Sequence, residues 1–145
     1  NDFGHEAIES FLKLIDDHRD DFIVIVAGYE DLMEGFISSN PGLESRFNRY
    51  FIFQDYGSDR LNTIFENMCD KNEYVLDEAA KEYAKEYFND LYESRDANFG
   101  NARDVRNFFE DVVSVHSDRV SCIEKPSRDD LMTFTKDDLK KASEM

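Results

Sequence analysis

From His5 onward, Ile8, Phe11, Leu12 and Ile15 recur at helical spacing, with Glu6, Glu9, Lys13 and Asp16 between them. That predicts an amphipathic helix with one apolar stripe. The stripe ends in a charged connection, Asp16-Asp17-His18-Arg19-Asp20-Asp21. Phe22-Ile23-Val24-Ile25-Val26-Ala27 follows without a polar residue and closes on Gly28. Because nothing alternates, the run predicts a strand buried on both faces, as in a parallel sheet covered by helices. Helix then strand is half of an α/β unit. A short helix is expected over Glu30 to Ser38 on Leu32, Met33, Phe36 and Ile37. Asn40-Pro41-Gly42 should break it, since Pro lacks an amide donor and Gly permits a sharp turn. Tyr50-Phe51-Ile52-Phe53 predicts a second strand, closed by Asp55-Tyr56-Gly57-Ser58.

After Gly57 the spacing is helical throughout. Ser58 is a candidate cap for a helix faced by Leu61, Ile64, Phe65 and Met68. Asp77 can cap the next, which carries Ala80, Tyr83, Ala84, Tyr87, Phe88 and Leu91. A loop over 94–100 precedes a third helix with Val105, Phe108, Phe109 and Val112 inward. Thr135-Lys136-Asp137-Asp138 resembles a capping box ahead of a short helix with Leu139. The expected class is α/β followed by all-α, with residues 1–56 and 57–145 divided near Tyr56 to Ser58.

Composition narrows the function. Seventeen basic against 33 acidic side chains leave a formal charge of −16 over 145 residues. A hydrophobic share of 41%, with 13 Phe and 7 Tyr, still supplies a packed core, so wholesale disorder is not expected. The negative charge argues against nucleic acid and anionic membranes, whose phosphates it would repel. Phe22 to Gly28, the longest apolar run, falls far short of the ~18 residues a membrane span needs. No cationic, apolar leader speaks for export, and the chain opens on Asn1, which reads as a fragment or a processed chain. Cys69 and Cys122 form no CxxC pair and are expected as reduced thiols in a cytoplasmic protein. His5, His18 and His116 accompany no spaced ligand set, and Asp16, Asp17, Asp20 and Asp21 lack EF-hand spacing, so no metal site is expected.

Two arginine signals carry what chemistry there is. Arg46 lies just past the Asn40-Pro41-Gly42 turn, and an exposed guanidinium, planar and always charged, suits phosphate. On spacing alone, a surface arginine paired with Glu44 or another local acid is the more economical account. Arg103 falls in the first turn of the third helix with Arg106 one turn on, where a cation is mildly unfavourable, by ~0.3–1 kcal/mol. It can reach a phosphate, or pair with Asp104, Glu110 or an acid on another helix, and on the residues alone the pairing is the more economical account. The sequence contains no GxxxxGK[ST] loop and no apolar strand ending in Asp-Glu.

Four blocks then add specificity: Asn1-Asp2-Phe3-Gly4-His5-Glu6-Ala7-Ile8, Val24-Ile25-Val26-Ala27-Gly28-Tyr29, Asn40-Pro41-Gly42-Leu43-Glu44-Ser45-Arg46-Phe47, and Asn98-Phe99-Gly100-Asn101-Ala102-Arg103-Asp104-Val105-Arg106-Asn107. In this order they resemble the CbxX/CfqX family of AAA+ ATPases. The resemblance implies the C-terminal part of an AAA+ core, from just after the magnesium-binding strand, followed by a helical lid. It implies that Arg46 is the arginine finger reaching a neighbouring subunit's site, with Arg49 in support. It also implies that Arg103 is sensor 2, with Arg106 as second candidate. Tyr29 stands at the sensor 1 position, where many AAA+ proteins carry Asn, and a core or subunit-contact tyrosine is equally consistent. The implied cofactors are ATP and Mg2+ in the full-length protein, and the implied partners a hexamer of like subunits and a protein substrate, with no nucleic acid or membrane. The 145 residues alone are expected to be inactive. An acidic binding or assembly module without nucleotide function is the alternative.

Overall fold

The computed structural model describes residues 3–96 and 98–145. Asn1 and Asp2 of the first resembling block, and Ala97 of the loop expected over 94–100, lie outside the described residues. The chain divides into two compact units, Asn1–Phe53 and Gln54–Met145.

The first unit holds α1 (Phe3–Asp17), α2 (Glu30–Ser38) and α3 (Pro41–Arg46). Its core is small: Leu12, Ile37 and Leu43 are buried, with Ile8, Phe36 and Phe47 packed against them. Asn40-Pro41-Gly42 does more than break a helix. The Gly42 amide donates to Asn40 Oδ1 at 2.7 Å, and Pro41 takes the first helical position, where its missing N–H costs nothing. The triplet therefore ends α2 and starts α3. A Cβ at Gly42 would stand 2.8 Å from Leu12 Cδ1 and 2.9 Å from the capping Asn40 Oδ1, so both side chains would have to shift to admit one.

The class read from the sequence stands, with local corrections. Phe22–Ala27 and Tyr50–Phe53, expected as strands, carry no ladder among the described residues. The first was expected to be buried on both faces, yet Ile23 is 88% exposed, and Phe53 in the second is 93% exposed. A strand of that kind needs hydrogen-bonded neighbours at its edges and helices over both faces. Among the described residues no strand pairs with either run.

The second unit holds α4 (Ser58–Lys71), β1 (Val75–Leu76), α5 (Glu78–Glu93), α6 (Ala102–Ser121), α7 (Arg128–Met132), β2 (Thr133–Phe134) and α8 (Lys136–Ala142). Gly57, not Ser58, is the residue that caps α4. Phe65 of α4 sits at the centre, its ring centroid 5.5 Å from Phe88 of α5 and 5.4 Å from Phe108 of α6. Tyr87 stacks on Phe108 at 4.0 Å, so the aromatic run of α5 is packing. Asp77 Oδ1 accepts from the Ala80 amide at 2.6 Å and starts α5. The sequence reading of helix alone after Gly57 missed a parallel two-residue ladder, Val75 opposite Thr133 and Leu76 opposite Phe134. It ties the loop before α5 to the turn before α8. Tyr74 stacks on Phe134 at 4.2 Å beside it.

A buried polar network closes this unit. Asp138 is fully buried, and Arg119 donates to it from Nε at 2.8 Å and from Nη2 at 2.9 Å. The Thr135 amide and hydroxyl donate to the same carboxylate at 2.9 Å and 3.0 Å. Burial would raise the Asp138 pKa, but the Arg119 and Thr135 donors overcome it and hold the carboxyl below the ordinary carboxylate range. His116 Nδ1 lies 3.0 Å from Arg119 Nη2 and its Nε2 3.0 Å from the Leu131 carbonyl. Arg119 Nη2 also donates to the Thr133 carbonyl at 3.0 Å, and the His116 ring joins α6 to α7 as a structural contact. Cys69 and Cys122 are both free, and burial pushes the Cys69 thiol up to about 12.

Candidate functional site

Arg46 ends α3, a six-residue helix whose start Asn40 and Pro41 fix. The helix aims the side chain at the C-terminal turn of α1. Nε donates to Asp16 Oδ1 at 2.9 Å, and Nη2 donates to Asp16 Oδ2. Nη1 donates to the Gly42 carbonyl at 2.9 Å and to Ser45 Oγ at 3.3 Å. The partner is therefore an acid thirty positions away, not the neighbouring Glu44. Asp16 is held below the ordinary carboxylate range by its hydrogen bonds from Arg46, and Arg46 is raised in turn by the same bonds. Both side chains meet solvent. They line an open cleft of about 420 Å³ with Arg19, Ser45, Asn48 and Phe47. Arg49 is exposed, beyond α3 in the extended segment, and Tyr29 is exposed at the cap position of α2.

In the second unit, Asn101 precedes α6 with φ 57° and ψ −124°, a positive φ outside the left-handed helical region. Its side chain donates to Asp55 Oδ1 at 3.0 Å and accepts from the Tyr56 amide at 3.2 Å. The entry to the unit is thus clamped to the start of α6. Two residues on, Arg103 is exposed, as is Arg106 one turn later. Asp104, the partner that spacing offered Arg103, turns back instead and accepts from the Gly100 amide at 2.8 Å. Glu110 is exposed and makes no ion pair among the described residues. Arg103 is left as an open cation beside a helix N-terminus, where no local ion pair accounts for it.

Sequence reasoning found the arginines and missed what holds them. Asp16 appeared as part of a charged connection and Asn101 as a member of the fourth resembling block. No local signal marks either, because each partner lies thirty or more positions away.

Residues 57–145 match the AAA lid domain family. Over 139 residues, 95% of this chain and 43% of the relative, the sequence is 37% identical to stage V sporulation protein K of Bacillus subtilis. The chain belongs to the CbxX/CfqX family of AAA+ ATPases. Protein CbbX of Cereibacter sphaeroides is 39% identical over 106 residues, 73% of the chain and 34% of the relative. The chloroplastic ribulose bisphosphate carboxylase/oxygenase activase of Cyanidioschyzon merolae is 34% identical over 143 residues, 97% of the chain and 48% of the relative. The AAA+ chain thus spans somewhat less than half the length of the relatives it matches. Its lid domain carries Arg103 and Arg106, and Arg46, Arg49 and Tyr29 lie ahead of that domain. No helix among the described residues is long and apolar enough to cross a membrane.

Proposed function

We propose that this chain is the C-terminal part of a cytoplasmic AAA+ ATPase that couples ATP binding and hydrolysis at hexamer interfaces to remodelling of a protein substrate. The observation that carries the reading is Arg103: exposed at the start of the lid's longest helix, with the nearest acid, Asp104, committed to the Gly100 amide. A guanidinium left open at a helix start is arranged for an anion from outside. In this role Arg103 is sensor 2, contacting the terminal phosphate of its own subunit's nucleotide, with Arg106 as second candidate. The Asn101 clamp to Asp55 and Tyr56 would pass a shift of α6 to the residues that enter the lid.

Arg46 takes the complementary role of arginine finger toward the neighbouring subunit, supported by Arg49, with Tyr29 at the sensor 1 position. A finger stabilises charge that builds on the transferred phosphoryl group. ATP with Mg2+ supplies the phosphoryl group and the metal's charge neutralisation. The guanidinium forks of this chain fit the phosphates. On this reading magnesium is held by residues outside this chain. The 145 residues alone should neither bind ATP tightly nor hydrolyse it.

The test is Arg103→Ala in the full-length protein. ATP turnover should fall by at least ~10-fold with assembly intact, by the scale of a lost charge-stabilising donor. Unchanged turnover would refute the sensor role, and steady turnover by a clean preparation of the 145 residues would refute the division of labour.

A further inference from the structure

The donor count of Arg46 raises a question about its availability. A guanidinium offers five N–H groups. One on Nε and one on Nη2 go to the two oxygens of Asp16, and both on Nη1 go to the Gly42 carbonyl and Ser45 Oγ. A single Nη2 hydrogen remains. The Nε–Nη2 edge, which matches a carboxylate or phosphate with two parallel bonds, is filled by Asp16. No second two-pronged contact can form while that bond stands.

The exchange is accessible. The Asp16 side chain is 54% exposed and that of Arg46 30% exposed, and both face the open cleft with Arg19, Ser45 and Asn48. An incoming phosphoryl oxygen pair would reach Arg46 through this cleft, past Phe22 and Phe47. It meets a carboxylate of the same fork geometry, already in place.

We propose that Asp16 is a positioning residue acting through Arg46, its carboxylate occupying in the resting subunit the guanidinium edge that a nucleotide phosphate must take. Displacing Asp16 is then part of engaging Arg46, and the exchange sets how fast the neighbouring site turns over. Arg19 lines the same cleft. This inference rests on the finger role of Arg46 proposed above.

The experiment measures steady-state ATP turnover of the assembled full-length protein and its Asp16→Asn, Asp16→Glu, Arg46→Ala and Asp16→Asn/Arg46→Ala variants. Asp16→Asn should raise kcat several-fold with KM for ATP unchanged, because the neutral amide keeps the shape and loses the charge that competes. Asp16→Glu should restore the parental rate, and the double variant should match Arg46→Ala. Where Asp16→Asn does not assemble, Asp16→Ala is read by the same criteria, and failure of both to assemble overturns the proposal by making Asp16 structural. If Arg46→Ala loses turnover while Asp16→Asn is unchanged or slower, the Asp16 proposal falls and the finger role stands. If Arg46→Ala keeps full turnover, the finger role fails and the Asp16 proposal with it.

Discussion

Asp138 shows what a single buried carboxylate does in this lid. Its oxygens take four donors, from Arg119 and Thr135, and it lies between α6 and the start of α8. Removing one partner of a buried pair leaves the other charge uncompensated, at ~3–5 kcal/mol where both are fully buried. Arg119 is 28% exposed, so water recovers part of that, and Asp138→Asn should lower unfolding free energy by about 2 kcal/mol. The folded pKa of Asp138 is depressed. The pair's contribution is therefore complete above the unfolded value of ~3.9 and is lost as pH falls through the folded one. Urea denaturation of residues 57–145 from pH 7 down to 3 should show wild type losing its advantage over Asp138→Asn at the acid end. Equal differences at both ends would show that the carboxylate carries no such linkage. The arginines were legible in the sequence because their residue type and their place beside turns are local facts. Asp16 and Arg119 were not, because an ion pair across tens of residues leaves no periodic trace.

At the scale of elements, the helices were legible and the strands only half so. Apolar spacing finds each long helix but not its full extent, since α6 runs on to Ser121, well past Val112, and Asp77, Asn101 and Thr135 stand where helices begin. A helix satisfies its interior backbone groups within itself and writes its buried stripe at a local period, so the sequence shows it without its partners. A strand is defined by a partner. Phe22–Ala27 has strand composition and no ladder, while Val75–Leu76 has a ladder and is too short to show alternation. Asp77 joins the two kinds of order: its side chain caps α5, and its amide donates to the Phe134 carbonyl at 3.2 Å, extending the ladder. Asp77→Ala removes the cap and leaves the amide bond, so it should lower stability by about 1 kcal/mol. Asp77→Ser, which restores an accepting oxygen, should recover most of it in the same denaturation measurement. A full-sized loss in the serine variant would show that something other than the cap is at stake.

The two units of the chain are unequally able to stand alone. Among the described residues the lid buries fourteen core residues around Phe65, and the first unit buries three. Ile23, Ile25, Phe51 and Phe53 are all exposed, on two β-branched and aromatic runs whose backbone groups find no ladder. Such segments are templates for pairing with any other chain. In the family's longer members the remaining half of the sequence is available to cover them. For the 145 residues in isolation the nearest supply of strand edges is a second copy. Sedimentation equilibrium of the whole chain should therefore give an apparent mass that rises with concentration, while residues 57–145 should hold a monomer mass across the same range. Ile23→Lys with Phe53→Lys puts a charge into each run, and like charges on apposed copies disfavour pairing. That variant should return the chain toward monomer without changing the melting of the lid. A whole chain that stays monomeric at every concentration would mean that the two runs find their partners within the first unit, and that the sheet expected from the sequence closes without help from elsewhere.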